Sequence, residues 1–228
     1  MNSVYVIIII YNGVKWINQC LSSLQSSSII LNTIVIDNGS TDGTINVIKK
    51  NYPKIELVES NINLGFGKAN NIGLQKAFKS KSDYVFLLNQ DAWVEANTIE
   101  RLIKIHQGNK DFGVLAPMQY NGEGRLIDRL FLEYCVKPSR ELMTDLVLNR
   151  GALKDIYNTP FINAACWLIP YSTLVKIGGF DPLFPHYGED NDYINRVTFH
   201  GLKVGLCPNE KVFHDRENRP KSKDFKRL

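Results

Sequence analysis

The sequence predicts an α/β fold in which a mainly parallel sheet carries helices on both faces. The first strand signal, residues 4–10, is continuously apolar and rich in β-branched residues, which is typical of a strand buried on both faces. Strand signals then alternate with segments of helical periodicity, as in repeated β-α-β units. A chain of 228 residues can also bury a large core without disulfides or a structural metal.

The strand–helix alternation is regular through the first half of the chain. Residues 14–24 have apolar side chains at helical spacing, and residues 33–37 form the second strand signal. A turn-rich stretch follows, in which Ser40 or Thr41 is expected to cap a helix that runs to about Asn51. The remaining predicted elements of this half are strands at residues 55–59, 84–88 and 114–118 and helices at residues 66–78 and 98–107.

The second half of the chain is less regular. Residues 121–160 mix charges, glycines and isolated apolar side chains, so we interpret them as an irregular insertion that covers the functional edge of the sheet. The elements predicted after it are a strand within residues 162–169, helices near residues 172–176 and 189–200, and a strand near residues 203–207. Because no internal repeat or linker interrupts it, the chain is expected to form one domain over residues 1–215, followed by a basic tail at residues 216–228.

The net charge of +4 lies entirely in residues 216–228, which leaves residues 1–215 neutral. A neutral body disfavours nucleic-acid binding, which needs lysines and arginines clustered on the folded surface. The tail could contact anionic lipid, but a solvated terminus is the preferred interpretation.

The cysteines and the hydrophobic pattern indicate a cytoplasmic protein. None of the four cysteines forms a C-x-x-C pair, and their neighbours are mostly apolar, so we expect buried, reduced thiols. The apolar run at residues 4–10 has no positive leader and is far shorter than the ~20 residues of a membrane-spanning helix. Through its basic tail the protein could still contact the inner face of a membrane.

Polar residues follow three of the predicted strands. Tyr11 and Asn12 come after the first strand, Asp37 ends the second, and Asn89 and Asp91 come after the fourth. In open parallel sheets, ligands bind outside the carboxyl ends of the strands. Each residue could be a turn former by itself, but their convergence predicts a ligand site.

The nucleotide side of this site is open to more than one interpretation. Asp37 could accept a hydrogen bond from a base or a ribose, or it could bond the turn that follows it. The glycine-rich stretch N-L-G-F-G-K-A-N-N at residues 63–71 begins a helix and suits the close approach of a phosphate or ribose. It is not a dinucleotide fingerprint, because Asn70 stands where a third Gly or Ala belongs. No G-x-x-x-x-G-K-[ST] loop occurs, which disfavours a P-loop kinase or NTPase.

Acidic residues and one histidine are the candidates for metal binding and catalysis. Asp91 offers a hard oxygen ligand to Mg²⁺ or Mn²⁺, or it could cap the next segment. Glu189 and Asp190 open a predicted helix, where acids complement the helix dipole; that dipole also keeps a carboxylate ionised, as a general base requires. His214 could be a metal ligand or a packing residue.

Taken together, these segments resemble glycosyltransferase family 2, and within it the rhamnosyltransferase-like members. The matching motifs are the first strand at residues 6–12, V-I-D-N-G-S-T-D-G-T at 35–44, the loop at 63–74, L-L-N-Q-D at 87–91, G-G-F-D at 178–181 and Y-G-E-D-N-D at 187–192. His214 falls where the family places its late metal-binding histidine. Asn89 and Gln90 depart from the usual D-x-D or N-P-D form, although an N-x-D form occurs in this subgroup. The resemblance covers residues 4–118 and 162–214.

The resemblance implies the GT-A form of the fold, with a nucleotide-binding half over about residues 1–118 and an acceptor-side half over about 119–215. It implies an inverting transfer of a sugar from a UDP- or dTDP-linked donor to a hydroxyl of a glycan or lipid-linked saccharide, in the assembly of bacterial-type surface polysaccharide or glycan. Mn²⁺ or Mg²⁺ would be held by Asp91 and His214, and Asp190 would be the general base.

The resemblance also assigns the residues around the two substrates. The residues implied in donor binding are Tyr11, Asn12, Asp37, Asn63, Gly65, Asn70 and Asn89. The residues implied on the acceptor side are Glu189, Tyr187, His186 and Trp167. Each of the last three could equally be a packing residue.

Two other classes of protein are compatible with parts of this pattern. A sugar-nucleotide pyrophosphorylase should have G-x-G-T-R-L after the first strand, and this chain has Y-N-G-V-K-W at residues 11–16. A non-catalytic sugar-nucleotide-binding or scaffold subunit is the alternative that remains, because Asn89 replaces a carboxylate of the metal motif.

Overall fold

The structure, a computed structural model, describes residues 2–148, 151–184 and 187–216. These residues form nine strands, eight α-helices and one π-helical turn at Leu132–Val136. The strands are β1 (Val4–Ile10), β2 (Asn32–Asp37), β3 (Glu56–Glu59), β4 (Tyr84–Asn89), β5 (Ala92–Val94), β6 (Phe112–Asn121), β7 (Tyr157–Asn158), β8 (Cys166–Pro170) and β9 (Lys203–His214). The helices are α1 (Ile17–Gln25), α2 (Thr44–Asn51), α3 (Phe66–Lys79), α4 (Thr98–Gly108), α5 (Arg129–Phe131), α6 (Arg140–Leu148), α7 (Tyr171–Ile177) and α8 (Glu189–Phe199).

All nine strands belong to one sheet. Eight of them follow the order β3-β2-β1-β4-β8-β6-β9-β5, and β7 pairs with β9. Strands β1 to β4 are mutually parallel, and so are β6 and β9, whereas β8 runs antiparallel between β4 and β6. β5 and β7 are antiparallel to β9. The predicted mainly parallel sheet is therefore confirmed, and β1, β2, β4, β6 and β9 all end at the same edge.

The two faces of the sheet are covered by different helices. Ile7 of β1 belongs to a core shared with buried residues of α3, α7 and α8. Ile8, its neighbour, belongs to a second core shared with α1, α2 and α4. This division explains why β1 is apolar at successive positions: its alternate side chains enter two separate cores. Helices on both faces were predicted, and this prediction is confirmed.

The turn before α2 differs from the prediction. The helix begins at Thr44, and its N-cap is Gly43 at φ 88°, with no side-chain cap. Ser40 and Thr41 do not cap it, because both bind the turn after β1 instead. Ser40 Oγ accepts from the Asn12 N–H at 3.0 Å, and the Thr41 N–H donates to Asn12 Oδ1 at 2.8 Å.

Residues 121–160 contain more regular structure than predicted. They include α5, the π-helical turn, α6 and the two-residue strand β7. Asp128 caps α5, since its Oδ1 accepts from the Phe131 N–H at 2.7 Å. The isolated apolar residues Phe131, Leu142 and Tyr157 are buried in the same core as α3 and α8. Helices this short leave little periodicity in a sequence, so the pattern alone gave no helical signal.

Two further predictions concern the state of the cysteines and the presence of a membrane-spanning helix. Cys20, Cys135, Cys166 and Cys207 are all free and buried, as predicted. Within the part of the chain that the structure describes, no helix has the length and hydrophobicity that a membrane span requires.

Candidate functional site

The carboxyl ends of β1 and β2 are bound to each other by polar side chains. Asn12 has a left-handed backbone, with φ 49°, and its amide oxygen accepts from the Thr41 N–H. Asp42 accepts from the Val14 N–H at 3.0 Å. Tyr11 leaves this turn with 48% of its side chain exposed. Asn12 therefore shapes the turn, while Tyr11 is accessible to a ligand at the edge of the sheet.

Asp37 is the residue that holds the second turn. It is only 1% exposed, and its carboxylate accepts from the Gly39 N–H at 3.1 Å and from the Ser40 N–H at 3.1 and 3.2 Å. Asp37 therefore binds the turn that follows it, which is one of the two roles that the sequence allowed. Its contact with a base or a ribose stays a prediction.

The glycine-rich loop is fastened to β2 through Asn38, a residue that the sequence analysis did not single out. Asn38 Nδ2 donates to Asn63 Oδ1 at 2.9 Å, and Asn38 Oδ1 accepts from the Leu64 N–H at 2.7 Å. Asn63 Oδ1 also accepts from the N–H of Gly65, the N-cap of α3 at φ 80°. The loop is therefore fixed before any ligand binds. The signal for Asn38 was its place directly after Asp37.

The two asparagines that follow in α3 have different surroundings. Asn70 is buried, and its amide donates to the Phe66 carbonyl at 3.0 Å, so the structure gives it a place inside the helix. Asn71 exchanges two hydrogen bonds with Phe180, in the turn before α8: Nδ2 donates to the Phe180 carbonyl and Oδ1 accepts from its N–H, both at 2.8 Å. A side chain at Gly179 would collide with Asn71 Oδ1.

The turn between α7 and α8 is held from its other side by Arg196. This residue donates from its guanidinium to the carbonyls of Ile177 and Gly179, at 2.8 and 2.9 Å, and pairs with Asp192 at 2.9 Å. Together, Asn71 and Arg196 fix α8 relative to α3. Asn71 belongs to the loop motif at residues 63–74, whereas Arg196 had no distinctive sequence signal. Neither contact could be predicted, because the partners are main-chain groups distant in sequence.

Asp91 and His214 come together at the edge of the sheet. Strand β5 pairs antiparallel with β9, and the Asp215 N–H donates to the Asp91 carbonyl at 2.9 Å. As a result His214 Nε2 lies 3.4 Å from Asp91 Oδ1, with both side chains 1% exposed. The residues predicted as metal ligands are thus neighbours, although metal binding itself stays a prediction.

Gln119 sets the orientation of the His214 ring. Its Nε2 donates to Asn163 Oδ1 at 2.7 Å, which leaves its Oε1 to face His214 Nδ1 at 3.4 Å. With Nδ1 as the donor in this contact, Nε2 carries a lone pair on the side of the Asp91 carboxylate. When the Asp91 carboxylate and His214 Nε2 are both hydrogen-bond acceptors, their proximity favours a cation bound between them or a proton on the His214 ring.

The chemistry of this pair fits a divalent cation. A carboxylate oxygen and an imidazole nitrogen suit Mn²⁺, and Mg²⁺ is often held by one or two carboxylates plus substrate phosphates. Within residues 2–148, 151–184 and 187–216, no three His, Cys, Asp or Glu side chains form a metal cluster. A cation held by Asp91 and His214 would therefore need further ligands from a substrate or from water.

Asp190 lies in the first turn of α8, after Gly188, which is the N-cap at φ 93°. Burial raises the pKa of its carboxyl group, an effect that backbone hydrogen bonds from Asn191 and Ala164 partly offset. A carboxylate with a raised pKa is a stronger base once it is ionised. Asp190 thus combines a fixed position with the basicity that proton transfer needs.

Backbone contacts connect Asp190 with the metal-ligand pair. Ala164, which bonds Asp190, precedes Ala165, whose carbonyl accepts from the Asn89 N–H at 2.9 Å. Asn89 is the last residue of β4, two positions before Asp91. The predicted base and the predicted metal ligands therefore border the same end of the sheet.

The predicted acceptor-side residues have diverse surroundings. Glu189 is buried beside α3. Its Cβ lies 3.8 Å from the position that a Cβ at Gly67 would occupy. Tyr187 is 69% exposed with φ 61°, so it is accessible at the start of α8. His186 lies outside the described residues. Trp167 is completely buried and stacks with Phe180 at 6.0 Å between ring centroids.

The position of Trp167 corrects its predicted place at the acceptor entrance. It lies on β8, opposite Leu87 of β4, and its ring packs 5.5 Å from the ring of Tyr193. An aromatic residue enclosed in this way stabilises the core under α8 and contacts no acceptor.

The chain was compared with known proteins. Residues 5–174 match the family model described as Glycosyl transferase family 2. The N-acetylglucosaminyl-diphospho-decaprenol L-rhamnosyltransferase of Mycobacterium tuberculosis is 24% identical over 242 residues, which cover 92% of this chain and 75% of the relative.

Solved structures show the same fold. S. aureus TarS 1-349 in complex with UDP-GlcNAc superimposes with a TM-score of 0.66 and 18% identity, over 92% of this chain and 58% of that one. Mannosyltransferase PcManGT from Pyrobaculum calidifontis, in complex with GDP-Man and Mn²⁺, gives a TM-score of 0.70 and 18% identity, over 95% and 57% of the two chains. This chain thus spans less than two thirds of either solved chain.

Proposed function

Because the chain belongs to glycosyl transferase family 2, we propose that it transfers a sugar from a nucleoside-diphosphate-sugar to an acceptor hydroxyl, with inversion at the anomeric carbon. The observation that supports this most strongly is the contact of Asp91 with His214 at the carboxyl edge of the sheet, near which backbone hydrogen bonds connect Asp190 with the end of β4. That edge is where open parallel sheets bind ligands. A UDP- or dTDP-linked donor is the proposed substrate.

The donor is bound by residues at the ends of β1, β2 and β4. Tyr11 and the Asp37 turn hold the nucleoside, and the entry to α3 at Gly65 approaches the diphosphate. The first N–H groups of a helix have no partner within the helix and carry its positive dipole end, which favours a phosphate there. Asn12 and Asn63 act on the donor by shaping this surface, because their side chains bind the backbone of the loops, and Asn70 does so by binding the first turn of α3.

Asp91 and His214 would hold Mn²⁺ or Mg²⁺, which neutralises the negative charge that develops on the departing nucleoside diphosphate. The two solved structures named above each contain a nucleotide sugar, and the PcManGT structure also contains Mn²⁺. For this chain the metal is an inference from the ligand chemistry and from Gln119, which turns the lone pair of His214 towards Asp91.

Asp190 acts as the general base. The acceptor oxygen forms a bond to the anomeric carbon while the bond from that carbon to the diphosphate oxygen breaks. The proton of the acceptor hydroxyl passes to the Asp190 carboxylate. Ionised Asp190 can take this proton because Asn191 and Ala164 hold its oxygens in place. We also propose that Glu189, buried beside α3, binds a sugar hydroxyl and that exposed Tyr187 contacts the acceptor.

The acceptor proposed for this chain is a glycan or a lipid-linked saccharide, in the assembly of bacterial-type surface polysaccharide. The name of the mycobacterial relative, which specifies an N-acetylglucosaminyl-diphospho-decaprenol acceptor, supports this class. We place the reaction in the cytoplasm, with contact between the basic tail and the inner face of the membrane as one way to approach such an acceptor.

A panel of nucleoside diphosphates and nucleotide sugars with Mn²⁺, read by thermal shift, tests the donor first. A ligand at 100 times its Kd adds about 2.7 kcal/mol to the free energy of unfolding, enough to rank donors. Transfer and hydrolysis assays with the best donor follow. Binding with neither activity would favour a non-catalytic sugar-nucleotide-binding subunit, whereas no binding across the panel would contradict both functions.

A further inference from the structure

Gln90 makes a pair of hydrogen bonds that no feature of its motif predicts. Its Oε1 accepts from the Tyr11 N–H at 2.9 Å, and its Nε2 donates to the Tyr11 carbonyl at 3.0 Å. The side chain thus satisfies both main-chain groups of one residue, as a neighbouring strand would. Gln90 stands where the family motif usually has proline or a variable residue, and proline could make neither bond.

These bonds extend the pairing of β1 with β4 beyond its last main-chain partners. The register ends with Ile9 opposite Asn89, after which the chain turns away to form β5. Gln90 replaces the lost strand partner with its own amide group. The position of Tyr11 is therefore fixed by the residue immediately before Asp91.

Gly13 is adapted to the same contact. A Cβ at this position would collide with Oε1 and Cδ of Gln90. Gly13 has no positive φ, so its backbone conformation does not by itself demand glycine. A small residue is required at position 13 because the Gln90 side chain occupies the adjacent space. The contact therefore depends on the turn after β1 as well as on the turn after β4.

We infer that Gln90 is a positioning residue that fixes Tyr11 against the nucleoside while Asp91 holds the metal and diphosphate. The inference rests on the proposed function and deepens its donor site. The main chain of Tyr11 is bound to Gln90, whereas its side chain is half-exposed and available to a ligand. Gln90 acts on the donor only through Tyr11. It therefore affects recognition of the nucleoside and leaves the binding of a diphosphate group alone unchanged.

The test is a binding experiment with Gln90→Met, which keeps the length of the side chain and removes both hydrogen bonds. Calorimetry with UDP and with dTDP, each with Mn²⁺, should show affinity about tenfold lower than that of the parent, the usual effect of losing one or two hydrogen bonds. Binding of inorganic pyrophosphate with Mn²⁺ should not change. Gln75→Met, the same substitution on the exposed surface of α3, is the matched control and should bind all probes as the parent does.

A double-mutant cycle separates action through Tyr11 from any other effect. If Gln90 works through Tyr11, the double variant Tyr11→Ala with Gln90→Met binds UDP no more weakly than Tyr11→Ala alone. Additive losses, or equal losses for UDP and pyrophosphate, would overturn the inference. So would parental UDP affinity in Gln90→Met.

Gly13→Ala provides an independent route if Gln90→Met folds poorly. The added methyl group displaces the Gln90 amide, so UDP affinity should again fall by about tenfold with pyrophosphate binding retained. Parental affinity in this variant would contradict the inference. If the unmodified protein binds pyrophosphate with Mn²⁺ but neither UDP nor dTDP, the proposed donor is wrong. If the unmodified protein binds UDP and dTDP, but Gln90→Met and Gly13→Ala keep parental affinity, only the positioning role of Gln90 is wrong.

Discussion

Asn71 and Phe180 are joined by two hydrogen bonds of 2.8 Å, one in each direction, between a side-chain amide and a main-chain peptide group. The contact connects the helix behind the glycine-rich loop with the turn that leads into α8. Arg196 binds the same turn from the α8 side. The glycine-rich loop and α8, which carries the proposed base Asp190, are thus connected through this turn.

We expect Asn71→Ala to lower kcat more than donor affinity. Loss of the two bonds lets α8 shift, and displacement of a catalytic group by about 1 Å can cost on the order of a hundredfold in rate. Steady-state kinetics alongside calorimetry with UDP measure the two effects. Asn195→Ala, on the exposed side of α8, is the control and should behave as the parent does. Equal losses in kcat and UDP affinity would contradict the positioning of α8 by Asn71.

Asp190→Asn should abolish most of the transfer activity while the fold and donor binding persist. A positioned general base contributes typically 10²–10⁴-fold in rate, and asparagine keeps the shape without accepting the proton. Single-turnover transfer rates measure this loss. Glu189→Gln is the comparison, since Glu189 is the neighbouring carboxylate. Parental activity in Asp190→Asn, together with an inactive Glu189→Gln, would show that the base is Glu189.

The pH profile should report the ionisation of Asp190. The base must be ionised, so kcat/KM falls as the pH is lowered through its pKa. Burial raises that pKa, so the fall occurs at higher pH than for an ordinary aspartate, whose pKa is about 3.9. In Asp190→Asn the residual rate should lack this acidic limb. An acidic limb that persists unchanged in the variant would assign it to another group.

The same shift predicts the stability of Asp190→Asn. A carboxyl whose folded-state pKa lies above its unfolded value favours the folded state at low pH, and this contribution is lost as the pH rises through the folded pKa. At neutral pH the ionised group therefore opposes folding. The variant should have a thermal midpoint at pH 7 no lower than that of the parent. A clear decrease would mean that Asn191 and Ala164 bind the carboxylate strongly enough to outweigh its burial.

Metal dependence should extend to Gln119. Excess chelator should abolish transfer if Asp91 and His214 hold the cation. Gln119→Leu removes the acceptor that orients the His214 ring, and changes of this kind typically weaken metal affinity by 10–100-fold. Titration of Mn²⁺ in the presence of UDP measures the affinity. Full activity in chelator, or parental Mn²⁺ affinity in Gln119→Leu, would count against the metal site.

Asp37→Ala should reduce both stability and nucleotide binding. The buried carboxylate accepts two main-chain N–H groups, so its removal should cost about 1.5–3 kcal/mol of the free energy of unfolding. Chemical denaturation and UDP calorimetry separate the two effects. Lower stability with unchanged UDP affinity would make Asp37 a turn former only.

The parallel strands β1, β4 and β6 could be predicted from the sequence because each is buried on both faces. β1 was predicted at its observed bounds, and α3 and α4 within one residue at their ends. β5 was not predicted because a strand of three residues is too short to show a periodic pattern of apolar residues. The π-helical turn and α5 were missed for the same reason, although Phe131 within them is fully buried.

The candidate site was predictable where a residue has its role by virtue of its own chemistry. Asp91 was named as a candidate metal ligand from its chemistry and its place after a strand, and His214 from the family resemblance. The structure makes the two residues neighbours. Gln119 could not be found in this way, because its importance comes from groups distant in sequence. Asn71 lies in the loop motif, but its contact with Phe180 could not be predicted for the same reason. Trp167 was misplaced for a related reason: an aromatic side chain suits an entrance and a core equally well until its neighbours are known.

The pairing of β5 with β9 has a consequence for how the protein forms during synthesis. Strands β1 to β4 come from the first part of the chain and are made before the rest of the sheet. Asp91 emerges early, but it cannot meet His214 until β9 has been made and has closed on β5. The residues proposed to hold the nucleoside are therefore all made before the proposed metal-ligand pair can form. Acquisition of metal affinity would mark the moment at which the sheet is complete.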